Sequence, residues 1–186
     1  MGLISNGTTL LDAGALDSGI ATGDMILIKT LTASSSSTLD FVHGASSVVL
    51  DGTYKEYVFK FINCHPATDN VSFKVNFSIN SGSNYNVTKT TTFFRAYHNE
   101  AGTGSALNYE ATGDSAQTTN EVELVREDKM SSDNDHSCCG FLHLFDPSNT
   151  TFVKHYIART NNTHESEYTM DSYISGYFNT TSALTN

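Results

Sequence analysis

Polar and apolar residues change places at every second position through VSFKVNFSI, residues 71 to 79. Phe73, Val75, Phe77 and Ile79 fall on one side of an extended chain, and Ser72, Lys74, Asn76 and Ser78 on the other. That period of two predicts a strand with one buried and one wet face. In KEYVFKFI, residues 55 to 62, Tyr57, Phe59 and Phe61 oppose Val58, Lys60 and Ile62, so this strand is apolar on both sides and is expected to lie centrally in a sheet. Further strand-like runs are MILIKTL (25–31), TLDFV (38–42), SVVL (47–50), TTTFFRAY (90–97), EVELVR (121–126), CGFLHLF (139–145), FVKHYIA (152–158) and YTMDSYISGYF (168–178). Their spacing predicts an all-β chain folded as an antiparallel β-sandwich, jelly-roll-like, over residues 25–186.

The segments between the runs carry turn chemistry. CHPATDN holds Pro66, FDPSNTT opens a turn with Asp146 and Pro147, and NSGSNYN at 80–86 has the Gly and Asn content of a hairpin. Residues 98–120 show neither helical nor strand period and are rich in small polar residues, which predicts an exposed excursion. Residues 1–24 are similar, and Gly14 and Gly19 within LLDAGALDSG argue for an extended N-terminal arm and not a helix.

Composition narrows the partners. A chain of 186 residues and 20.2 kDa fits one domain, and a core of that size buries about 70% of the unfolded surface. Charged residues are only 16%, with a formal net charge of -10, and Lys and Arg are scattered. Such a surface repels phosphate backbones and anionic membranes, so neither nucleic acid nor membrane is an expected partner. The N-terminal stretch lacks a basic region and a long apolar core, so it reads as neither secretory signal nor membrane span, which predicts assembly in a cytoplasm. Seven Asn-x-Ser/Thr triplets occur, at Asn6, Asn70, Asn76, Asn86, Asn149, Asn161 and Asn179; a Ser- and Thr-rich chain without a signal produces these by chance.

The densest candidate chemistry is DNDHSCCGFLHLFDP, residues 133 to 147. If 139–145 is a strand, Cys139, Phe141, His143 and Phe145 share one face, Gly140, Leu142 and Leu144 the other, and adjacent Cys138 and Cys139 point to opposite sides. Two such thiols cannot jointly hold a tetrahedral ion, and their spacing is not that of a zinc site. A disulfide between neighbours is strained as well. One of the pair is therefore expected to be a small buried apolar residue at a strand start. No metal is expected; Asp133 and Asp135 are the candidate Ca²⁺ ligands, in a turn that lacks the Gly and distal Glu of an EF-hand loop.

No catalytic residue stands out. There is no Gly-x-Ser-x-Gly, no phosphate loop leading into a helix and no paired histidines at helical spacing among the seven. The acidic residues sit mostly in turns, so no pair of glycosidase carboxylates is suggested, and no cofactor is expected. The remaining candidates are exposed aromatics with polar neighbours: Tyr85, Tyr97 and Tyr109 with Asn84 and Asn86 as a ligand or partner surface, and Tyr168, Tyr173 and Tyr177 in the last strand.

Five phrases taken together, LISNGTTLLDAGAL, KEYVFKFINCHPATDNVSFKVNFSI, SNYNVTKTTTFFRAYHNE, HLFDPSNTTFVKHYIA and SGYFNTTSAL, resemble a group of small standalone proteins of tailed phages of marine bacteria and cyanobacteria, virion structural or tail-fibre-like. The resemblance runs along nearly the whole chain and brings no catalytic motif. It implies a non-enzymatic virion structural protein, located by its N-terminal arm in a tail appendage or fibre, assembled in the host cytoplasm and symmetric as a homo-oligomer, with a trimer favoured. Other virion proteins and a host surface glycan are the implied partners. A capsid decoration protein is the alternative role, and a carbohydrate-binding module the alternative from another class. Members of the group continue past the TTSAL phrase into a further strand or two, whereas this sequence stops at Asn186: either it is only the ordered part of a longer chain, or the final strands are absent, and in that second case an open sheet edge covered by a neighbouring subunit is expected.

Overall fold

The computed structural model describes residues 3–5, 8–12, 15–16 and 25–186, the side chains of 3, 5, 8–12, 15–16 and 127–129 excepted. The chain forms two compact units, residues 1–30 and 31–186. In the first, strands β1 (Leu3–Ser5), β2 (Thr8–Asp12) and β3 (Ala15–Leu16) make a small antiparallel sheet in chain order. The rest of the arm expected over 1–24 lies outside the described residues.

The second unit contains β4 (Glu56–Cys64), β5 (Val71–Val75), β6 (Lys89–Asn99), β7 (Ser105–Tyr109), β8 (Ser115–Thr118), β9 (Val122–Met130), β10 (Cys138–Phe145), β11 (Lys154–His164) and β12 (Tyr168–Phe178). Seven of these form one antiparallel sheet in the order β4-β10-β11-β12-β6-β7, with β8 also paired to β6; β5 and β9 form a separate two-stranded sheet. Among the described residues there is no helix. The all-β, antiparallel expectation therefore holds.

Alternation explains the packing. Along β11 buried and outward residues alternate without interruption from Lys154 to Asn162. On the inward face Leu142, Leu144, Tyr156, Ala158, Ile174, Phe178 and Phe93 close over Val122 and Leu124 of β9. Burying each such side chain contributes about 1.5–3 kcal/mol. The Thr160 hydroxyl donates to the Leu124 carbonyl and ties the two layers together. The second layer is only half strand: Phe77, Val87 and Leu184, from irregular chain, complete the same core.

Several elements differ from expectation. Residues 25–31, 38–42 and 47–50 are not strands. Gly44, Ser46 and Ser47 have positive φ, which breaks an extended run, and Val48 and Leu50 are buried outside any ladder. Short apolar runs without alternation carry no sheet register of their own. The strand expected over 71–79 stops at Val75 because the Asn76 side chain competes for the backbone, accepting from Phe77 N at 2.9 Å and donating to the Tyr85 carbonyl at 3.0 Å. NSGSNYN makes a turn with positive φ at Ser81 and Gly82, but its flanking strands belong to different sheets, so it is not a hairpin. Residues 98–120 are no structureless excursion, since they carry β7 and β8 and widen the large sheet. Asn99 holds their first turn by accepting from Thr103 N and Gly104 N. Finally β4, expected to be central, is an edge strand, and its Ile62 is 72% exposed.

Candidate functional site

The period that buries one face of the large sheet leaves the opposite face uncovered by the described residues of the unit 31–186. Register places Lys60, Phe141, Arg159, Tyr173, Phe94 and Tyr109 side by side across β4, β10, β11, β12, β6 and β7. The next row is Val58, His143, Ile157, Ser175 and Thr92. All of these are half-buried or exposed.

At the centre of the row the Phe94 and Tyr173 rings stack in parallel, centroids 4.8 Å apart and planes 2° from parallel. The Arg159 guanidinium lies 4.7 Å from the centroid of the Tyr173 ring. Its Nε and Nη2 grip both carboxylate oxygens of Asp171, at 2.9 and 2.7 Å, and the Tyr173 hydroxyl donates to Asp171 Oδ2 at 3.0 Å. The Arg159 hydrogen bonds hold the Asp171 carboxyl below its ordinary range, and the bond to Asp171 pushes the Tyr173 phenol up. Toward β4, His143 lies edge-on to Phe141 and stacks on Phe145, while its Nδ1 meets the Glu56 carboxylate.

Two open grooves lie on this face. One, of about 370 Å³, is lined by Phe145, His155, Ile157 and Tyr177 among others; the second, of about 330 Å³, is lined by Cys139, Phe141, Arg159 and Asp171 among others. Flat aromatic rings beside a guanidinium already neutralised by its carboxylate suit contact with another surface or with a sugar ring.

The five residues expected to form a ligand surface do not converge. Tyr109 lies on the outer face, at the edge. Tyr97 is on the opposite face of β6, its ring edge-on to Tyr168 and its centroid 5.6 Å from Arg95 Cζ. Tyr85, Asn84 and Asn86 share the loop after β5; the Tyr85 hydroxyl donates to Asp40 and accepts from Asn186 Nδ2, and Asn84 N is held by Asn80 Oδ1. Tyr173 and Tyr177, by contrast, belong to the face, together with Phe94, Phe141 and Arg159, which periodicity alone did not single out.

Cys138 and Cys139 do diverge as expected. Cys138 is fully buried and Cys139 exposed, and both are free thiols, as is Cys64, which pairs with Cys138 across the strands. Burial pushes the Cys138 thiol up to about 12.

The two candidate Ca²⁺ ligands separate into different roles. Asp133 joins His136 and Glu167, each placing one ligand atom within 4.8 Å of the others. Asp135 projects into solvent, its Oδ1 3.9 Å from His136 Nε2.

No protein-family model matches the chain, and no curated protein or solved structure is significantly similar to it.

Proposed function

We propose that this chain is a non-enzymatic structural protein of a bacteriophage virion, a tail appendage or fibre component that contributes to particle architecture or host attachment. The observation that carries the reading is the outer face, uncovered by the described residues of the unit 31–186, where Phe141, Arg159, Tyr173, Phe94 and Tyr109 cross the sheet in one row. A continuous aromatic face of this kind is a contact surface, and Tyr and Arg are the residues that dominate such contacts. Symmetric self-association covers it at little cost in new design, with a trimer favoured. Other virion proteins and a host surface glycan are the remaining partners, and residues 1–24 serve as the docking arm. The jelly-roll-like form of the sandwich belongs to the same proposal; the chain's crossings from large sheet to small and back, at β4-β5-β6 and β8-β9-β10, support it.

The test is antibody labelling of purified particles. Label on the tail supports an appendage or fibre, and label on the shell supports the alternative, capsid decoration. A second alternative, a carbohydrate-binding module, is favoured by the flat Phe94–Tyr173 pair next to Arg159 and Asp171. It predicts glycan-array binding that disappears in Tyr173→Ala. Particles without label overturn the virion proposal.

A further inference from the structure

The loop between β9 and β10 meets the turn between β11 and β12 at one side chain, His136. That side chain is only 9% exposed, and its Nδ1 is buried without a hydrogen-bond partner. Nδ1 lies 3.7 Å from Asp133 Oδ2, and Nε2 lies 3.7 Å from Glu167 Oε2. These distances are too long for hydrogen bonds. The two carboxylates face different ring nitrogens, yet one ligand atom from each of the three residues lies within 4.8 Å of the others; the geometry points to a binding site for a first-row divalent cation of the zinc class, held by one imidazole nitrogen of His136 together with Asp133 and Glu167.

The donor set selects the metal. One imidazole nitrogen and two carboxylates match Zn²⁺ and its neighbours, whereas Ca²⁺ takes six to eight oxygens and has no use for the imidazole. Three protein ligands leave a position for water. Around Zn²⁺, with bonds of about 2.0–2.2 Å, ligand atoms sit roughly 3.3 Å apart. The present set must therefore draw in from its 4.8 Å limit. Asp133 and Glu167 have side chains 57% and 54% exposed, so both can swing while the imidazole stays fixed.

The imidazole is fixed through its backbone. His65 Nδ1 donates to the His136 carbonyl at 2.8 Å, and His136 N donates to the Asp133 carbonyl at 2.9 Å. Asp69 anchors the start of the loop by accepting from Ser132 N at 2.6 Å. A bound ion would thus cross-link two connections at one end of the large sheet. The net charge of -10 favours cation capture.

The experiment is calorimetric titration of the chelator-treated full chain with Zn²⁺ and, separately, Ca²⁺, together with Co²⁺ absorption spectra. One equivalent of Zn²⁺ should bind, with a rise in Tm. His136→Ala and Glu167→Gln should each weaken binding by about tenfold or more, while His155→Ala, on the outer sheet face, should leave it unchanged. Glu167→Gln changes an exposed side chain, so it remains informative if His136→Ala folds poorly. The Co²⁺ spectrum should lack a thiolate charge-transfer band, and Cys139→Ser should bind as tightly as the parent. Absence of Zn²⁺ binding, binding that survives Glu167→Gln, a thiolate band, or Ca²⁺ binding as tight as Zn²⁺ would each overturn the assignment.

Discussion

Glu110 joins Arg95 of the large sheet to Arg126 of the small one: Arg95 Nε lies 2.6 Å from Oε1, and Arg126 Nη1 lies 3.0 Å from Oε2. The Arg95 and Glu110 side chains are 10% and 9% exposed, so this is a desolvated link between layers and not a surface pair. Removing the carboxylate leaves two guanidinium groups facing each other with little water. Glu110→Ala should therefore cost about 3–5 kcal/mol. Urea unfolding followed by fluorescence or circular dichroism measures it, and a loss below about 1 kcal/mol would place the link in the class of screened surface pairs.

Lys89 gives the pH dependence a definite sign. Its ammonium is fully buried and donates to Asn76 Oδ1, the Thr119 carbonyl and the Asn120 carbonyl. Burial lowers its pKa from 10.5 to about 8. A depressed lysine pKa means that between about 8 and 10.5 the unfolded chain binds the proton and the folded chain does not. Stability from this group therefore rises with pH through that window and is flat below it. Tyrosines with raised pKa, Tyr57 among them, act in the opposite sense at higher pH, so the comparison needed is parent against Lys89→Met. The parent should gain roughly 1–3 kcal/mol relative to the variant between the ends of the window. Equal pH slopes in the two proteins would exclude the buried ammonium as the source.

Gly140 tests the close approach of β10 and β11. A Cβ at this position would sit 2.4 Å from the Arg159 carbonyl oxygen and 2.8 Å from Thr160 Cα. The obstruction is backbone, which cannot rotate away as a side-chain tip can. Gly140→Ala should lower stability by about 1–3 kcal/mol or more, with a fall in Tm of the purified variant as the measurement. An unchanged Tm would mean that the two strands can separate locally without loss.

Much of this architecture was legible because side-chain period survives tertiary packing. Leu142 and Leu144 against Phe141 and His143 give the two faces of β10 directly, and Cys138 and Cys139 part as the same rule requires. The rule says which residues share a face but not which face is covered. Both faces of β10 are apolar, and only the placement of β9, paired with β5, over the leucines decides that the Phe141 side stays open among the described residues of this unit. Strands β7 and β8 were hidden because Ser, Ala, Asn and Gln give no contrast, and the asparagine-held turn at Asn99 is a side-chain effect that period does not register. The cluster of Asp133, His136 and Glu167 was illegible for another reason: a complete hairpin separates Glu167 from the other two, and only the register of β10, β11 and β12 returns it to them.

Phe94 and Tyr173 separate surface function from fold. Their rings stack on the open side of the sheet, with Phe94 40% exposed, so their loss leaves the core residues Phe93 and Ile174 in place. An aromatic pair of this kind contributes about 0.5–1.5 kcal/mol beyond its buried area. Phe94→Ala combined with Tyr173→Ala should therefore lower stability modestly and leave the far-ultraviolet spectrum intact. Residues at the centre of a contact surface typically cost at least about 2 kcal/mol of binding when truncated. If the outer face is the contact surface, the double variant should lose self-association by analytical ultracentrifugation, or attachment to particles that lack the protein, by at least about thirtyfold in affinity. A double variant that stays folded and associates as the parent does would move the contact surface elsewhere, to the sheet edges at Ile62 and Leu107, which are both 72% exposed.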